Sequence, residues 1–109
     1  MASEVSLKAF KRLKRKLENE VLWIYVANIL LHEDGLSVTE LKKRLKEKFS
    51  IKVNTVYLYT VLYRMEREGL VRRKTSEEGK SMYCLEEVGK QTYLKGLEYL
   101  NRIVKLLAE

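Results

Sequence analysis

The 109-residue sequence contains no proline, one cysteine, one histidine and only five glycines. With no proline, low-complexity stretch or internal repeat, nothing marks a linker between separately folded units. The length suits a single domain with room for a helical extension. Cys84 has no partner for an intramolecular disulfide. It reads as a small hydrophobe in a strand, with an intermolecular bridge as the lesser alternative. No run approaches the roughly 18 apolar residues that a membrane helix needs. In MASEVSLKAFKRLKRKLENEV the leucines are spaced, not contiguous, so no signal-peptide centre is present and a cytoplasmic location is expected.

Enzyme chemistry also finds little to hold. His32 stands alone in LLHEDG, without the second histidine of a zinc-protease pattern, and one cysteine cannot build a thiolate metal site. There is no glycine-rich phosphate loop and no nucleophile elbow. No catalytic residue, metal or cofactor is expected, and His32 is given a capping or surface role.

What the chain has in excess is positive charge. Twenty-two Lys and Arg face fifteen Asp and Glu, for a formal charge of +7. The excess is uneven: residues 1–20 carry six cations against three acids, 40–48 five against two, 52–80 seven against four, and 86–109 four against four. Such asymmetry favours an anionic partner for the body of the chain. A solvated surface rich in Lys and Glu would produce the same balance.

The apolar residues are periodic. In ENEVLWIYVANILLHEDG, residues Val21, Leu22, Ile24, Tyr25, Ile29 and Leu30 give a broad helical face ending before Gly35. SVTELKKRLKEKF opens on Ser37 or Thr39 as N-cap and steps through Val38, Leu41, Leu45 and Phe49, a helix with a basic outer side. NTVYLYTVLYRMEREG is rich in β-branched and aromatic residues, which favour a strand. Its length, the spacing of Leu58, Leu62 and Met65, and Gly69 at the cap position argue for a helix over about 53–68. LVRRKTSEEGKSMYCL then reads as a hairpin over 70–85, turning around Glu77–Gly79. In the last segment Tyr93, Leu97, Leu100, Val104 and Leu107 repeat at four, three, four, three, the spacing of a coiled-coil seam. A basic segment from Val5 to Lys16 precedes all this, its Leu7, Phe10, Leu13 and Leu17 suggesting a helix packed on the body or on a second copy.

The expected fold is mainly α (α+β): a winged helix-turn-helix with a two-stranded β wing over 18–86, a basic N-terminal helix over 1–17 and a long C-terminal dimerisation helix over 87–109. The run YTVLYRMEREGLV resembles the third-helix signature of PadR-type transcriptional regulators, through Tyr59, Leu62, Met65, Glu66, Glu68, Gly69 and Leu70. KSMYCLEEVGK is similar to that family's second wing strand and following turn, through Tyr83, Leu85 and Gly89. Glu86 stands where the family has threonine, Thr60 where proline is frequent, and Tyr57 and Leu58 where a small residue is usual. MarR-like winged helices also end in EGLV. The resemblance spans about residues 20–108. It implies a dimeric, sequence-specific DNA-binding repressor without a dedicated effector domain.

A helix turns about 100° per residue. With Leu58, Leu62 and Met65 inward, Val56, Thr60, Tyr63 and Arg67 point outward, flanked by Lys52, Tyr59 and Arg64. A recognition helix reads bases from its N-terminal half. Asn54, Thr55, Val56, Tyr59 and Thr60 are therefore the base-side candidates, with Arg64 and Arg67 for phosphates or guanine edges. In the wing, side chains alternate, so Arg72 and Lys74 share one side and Arg73 takes the other. With Lys80 at the loop they are candidates to flank phosphates, diluted by Glu77 and Glu78. One or two of Lys42, Lys43, Arg44, Lys46 and Lys48 are candidate phosphate anchors. Tyr93, Leu97, Leu100, Val104 and Leu107 are the candidate homodimer seam. The rival readings are a winged-helix protein–protein scaffold and a non-specific, chromatin-type DNA coat. A small-molecule effector is compatible with a cleft between the tyrosines and the last helix, but no residue demands one.

Overall fold

The computed structural model describes residues 7–109. The order is α1 (Leu7–Asn19), α2 (Leu22–His32), α3 (Val38–Phe49), α4 (Thr55–Arg67), β1 (Val71–Thr75), β2 (Ser81–Leu85) and α5 (Glu87–Leu107). Five helices and a two-stranded antiparallel sheet make the chain mainly helical, in winged helix-turn-helix order. The expected helix start at Val5 lies outside the described residues, and α1 runs on to Asn19.

Helix α2 is the centre of the core. It is apolar nearly all round, and it buries Leu22, Ile24, Val26, Ala27, Ile29 and Leu30 against α3, α4, α5 and β2. Such a helix has no side to give to water. Helix α3 starts with a complete capping box: the Glu40 N–H donates to Ser37 Oγ at 3.2 Å, and the Ser37 N–H donates to Glu40 Oε1 at 3.0 Å. Two otherwise orphaned backbone donors are thereby satisfied. The serine reading of the cap holds over Thr39.

Helix α4 is a helix despite its β-branched and aromatic content. Burial of Leu58, Val61, Leu62 and Met65 on one stripe outweighs a propensity difference of a few tenths of a kcal/mol per residue. Asn54 caps its start, its Oδ1 accepting from the N–H groups of Val56 at 2.7 Å and Tyr57 at 3.2 Å. At its end Gly69 takes φ +78°, Leu70 N–H reaches the Met65 carbonyl at 2.9 Å, and Gly69 N–H reaches Glu66 at 3.1 Å. That pair of bonds is the Schellman closure, and its left-handed residue favours glycine.

The hairpin pairs Val71 with Leu85 and Thr75 with Ser81. Leu36 adds a short bridge to Tyr83 through reciprocal bonds of 3.1 and 2.8 Å, tying the α2–α3 loop to the wing. Helices α1 and α5 depart from this compact body. Helix α1 buries no residue, and α5 buries only Gly89 and Tyr93.

Candidate nucleic-acid interface

The outward side of α4 is open. Val56 is 73% exposed, Tyr63 63% and Tyr59 51%, with Thr60, Arg64 and Arg67 exposed between and beside them. Large apolar rings left in water at this density are unusual in a surface that touches only solvent. The Arg67 guanidinium lies 5.7 Å from the Tyr63 ring centroid, so the cation is partly steered by the ring face. Thr60, Tyr63, Arg64, Arg67 and Glu68 line a shallow cleft of about 510 Å³. A second cleft, of about 610 Å³, runs between α4 and the wing, with Tyr59, Tyr63, Glu66, Arg67, Arg73, Ser81 and Tyr83 on its walls.

Several polar candidates are committed to the fold. Asn54 is the cap of α4, so its carbonyl oxygen is taken and only its amide nitrogen can reach outward. Thr55 Oγ1 accepts from Lys42 Nζ at 2.8 Å, and the Thr60 hydroxyl donates to the Val56 carbonyl at 3.1 Å, leaving acceptor lone pairs on both. Tyr57 turns inward: it is half-buried, and its hydroxyl donates to the Asn19 carbonyl at 2.6 Å. Lys52 is exposed in the turn before α4. Lys52, Arg64, Arg67, Lys74 and Lys80 make no ion pair among the described residues.

The wing divides its cations between two sides. Arg72 and Lys74 do share a side, but it is the side turned from α4. Arg72 lies opposite Cys84, whose Sγ packs toward Gly35, and the Lys74 stem lies near the same glycine. Arg72 Nη1 is held by Glu86 Oε1 at 2.7 Å, and this hydrogen bond keeps the guanidinium more firmly protonated than usual. Arg73, opposite Tyr83, is the strand cation that shares the cleft with Tyr59, Tyr63 and Arg67. It stands 3.9 Å from Glu66 Oε2, a loose contact. Burial pushes the Tyr83 phenol up, opposed by the Arg73 charge beside it.

The basic side of α3 is also partly occupied. Arg44 makes a forked pair with Glu33 at 2.7 and 3.0 Å and approaches Glu47 at 3.7 Å, so it is a poor phosphate anchor. The Arg44 hydrogen bond holds the Glu33 carboxyl below its ordinary range. Lys48 Nζ donates to Asn28 Oδ1 at 2.7 Å. Lys43 and Lys46 remain exposed without an ion pair among the described residues.

Of the seam residues, Leu97, Leu100, Val104 and Leu107 are exposed. Tyr93 is not: it is 7% exposed inside this chain's own core, and its hydroxyl accepts from Asn28 Nδ2 at 2.7 Å. Heptad spacing cannot distinguish a residue buried against its own α2 from one awaiting a partner. Leu94, which the spacing passed over, is exposed. Helix α1 adds the open ridge Leu7, Phe10, Leu13 and Leu17, which the body of the chain does not cover. His32 lies at the surface, its Nδ1–H donating to the Asn28 carbonyl at 2.9 Å. Among the described residues no helix is long and apolar enough to cross a membrane, and no His, Cys, Asp and Glu cluster is placed to hold a metal ion.

These features define a winged-helix fold that presents a helix and a hairpin on one side. Among solved structures, the chain is similar to a transcriptional regulator from Clostridium thermocellum, with TM-score 0.76 and 17% identity over 84% of this chain and 94% of that one. It is similar to a PadR-like transcriptional regulator from Bacillus cereus, with TM-score 0.67 and 21% identity over 86% and 97%. F93 from STIV, described as a winged-helix DNA-binding protein, matches with TM-score 0.67 and 19% identity over 79% and 92%. The chain thus shares its fold with PadR-like transcriptional regulators. No family model and no curated protein matches the sequence.

Proposed function

We propose that the chain is a PadR-type transcriptional regulator: a homodimer that binds double-stranded DNA sequence-specifically and represses by occupying its operator. The observation that carries this reading is the uncovered side of α4, where Val56, Tyr59, Thr60, Tyr63, Arg64 and Arg67 are exposed and Tyr59, Tyr63 and Arg67 share a cleft with Arg73 of the wing.

In this reading α4 enters the major groove, which is wide enough to admit a helix. Val56 meets a thymine methyl, and Tyr59, Thr60 and the Asn54 amide face base edges. Arg64 and Arg67, nearer the helix end, take phosphates, as does Lys52 at the approach to the helix. Arg73 and Lys80 bring the wing to the backbone. Arg72 contributes by bracing the wing against Glu86 instead of touching DNA. Leu97, Leu100, Val104 and Leu107 of two copies form the seam, joined by the ridge of α1. A symmetric pair of recognition helices then reads an inverted repeat.

The test is selection of bound fragments from random duplex, followed by affinity measurement between 50 and 200 mM salt. A dimer neutralising six or more phosphates loses about three orders of magnitude or more over that range. Failure to bind duplex at 50 mM salt rejects the reading in favour of a protein–protein scaffold. Steep salt dependence with no sequence enriched rejects it in favour of a non-specific DNA coat.

A further inference from the structure

Asn28 is the one non-aromatic polar side chain between Leu22 and Leu31, in the most apolar helix of the chain. Asparagine is a poorer helix former than the aliphatic residues around it, and a half-buried amide costs free energy unless both ends are bonded. Here both ends are. Nδ2 donates to Tyr93 Oη on α5 at 2.7 Å, and Oδ1 accepts from Lys48 Nζ on α3 at 2.7 Å. One side chain thus ties the helix-turn-helix to the helix that carries the open seam.

The surroundings show why that tie matters. The start of α5 is pinned by the Glu86 N–H to Leu70 carbonyl bond of 2.9 Å and by Arg72 on Glu86. Gly89 lies so close that a Cβ would collide with the Leu70 carbonyl and come within 2.7 Å of Leu85 Cδ1. Gly96 lies against Ile24 and Trp23, where a Cβ would sit 3.1 and 3.4 Å from them. Of these contacts, the Tyr93 hydrogen bond is the one that continues, through Asn28 of α2, to Lys48 of α3. Beyond Gly96 no residue of α5 is buried. The seam therefore sits on a projecting lever. From Tyr93 to Leu107 the helix rises about 21 Å, so a tilt of about 10° displaces its far end by about 4 Å. That is close to the roughly 3.4 Å between successive base pairs.

We propose that Asn28 is a positioning residue: through Tyr93 and Lys48 it holds α5 at one angle to α3 and α4, and so sets the half-site spacing that the dimer accepts. The inference rests on the dimeric DNA-binding reading above. Affinities of the full-length chain are measured for duplexes carrying the selected half-site once, and twice at spacings stepped by one base pair. The wild type loses at least tenfold for each step away from its preferred spacing. Tyr93→Phe, which keeps the ring and removes the hydroxyl, cuts that penalty below threefold while leaving single half-site affinity unchanged. Asn28→Ala does the same, and the double variant loses no more than either alone. A wild-type penalty retained by folded Tyr93→Phe, or affinity lowered equally at every spacing and on the single half-site, overturns the inference alone. A wild type that binds no duplex, or has no spacing preference, overturns the dimeric DNA-binding reading with it.

Discussion

Replacing Leu97 and Leu100 together with glutamate should turn a dimer into a monomer. In the single chain these leucines keep 41% and 37% of their surface exposed. Fully burying a leucine contributes about 1.5–3 kcal/mol, so sealing the remaining two-fifths contributes about 0.6–1.2 kcal/mol per side chain. A two-fold seam holds each leucine twice, so the four together contribute about 2.5–5 kcal/mol. At about 1.4 kcal/mol per factor of ten, removing them weakens the dimer by about two to three and a half orders of magnitude. Four carboxylates brought into the same seam add desolvation and mutual repulsion on top. The assay is sedimentation equilibrium at micromolar concentration, with circular dichroism confirming the fold, since neither leucine belongs to the core. The variant should sediment at the single-chain mass of 12.9 kDa and the wild type at about twice that. A variant that stays at the dimer mass would refute the α5 seam and move the contact to the α1 ridge of Leu7, Phe10, Leu13 and Leu17, and a monomeric wild type would refute the dimer itself.

Three further outcomes are expected. Arg73→Ala should weaken duplex binding evenly across sequences and reduce the magnitude of the salt slope by about 0.9 for each phosphate no longer neutralised, while Arg72→Ala leaves the slope intact; the opposite ranking would show that the wing meets DNA by its other side. Ser37→Ala removes the cap of α3 and should cost about 1 kcal/mol, seen by calorimetry as a Tm about 4 °C lower; an unchanged Tm would mean that the capping box carries no net stability. Hydrogen bonds from the Ser37 backbone and side chain hold the Glu40 carboxyl below its ordinary 4.5. A depressed native pKa stabilises fully above the unfolded value and is lost as pH falls through the native one. Glu40→Gln should therefore be the less stable protein at pH 7 in urea titration, and the gap should close as pH falls below about 4.5; a constant gap would contradict the linkage.

Much of the fold was readable because burial leaves a period. Leu58, Leu62 and Met65 mark α4 against its strand-like composition, and Gly69 marks its end because the closure there needs a left-handed residue. The hairpin was readable from the change to alternation between Leu70 and Leu85. The candidate interface was legible only in part. The open positions of α4 follow from its inward stripe, so the exposure of Val56, Tyr59 and Tyr63 was readable. Which polar groups are spent on the fold does not follow from the stripe. Asn54 caps its own helix, while Arg44 grips Glu33 and Tyr57 reaches back to Asn19 through contacts between residues apart in the chain.

The order of elements, their inward faces and the placement of positive charge follow from the chain read a few residues at a time, since period and composition are local properties. That Arg73 and not Arg72 looks toward α4, and that Tyr93 belongs to the core while Leu97 does not, follows from packing alone. Alternation in a strand and a seven-residue repeat each define two equivalent sides of an element. Which side meets the body of the protein is set by how whole elements pack, and that is a relation between residues far apart in the chain.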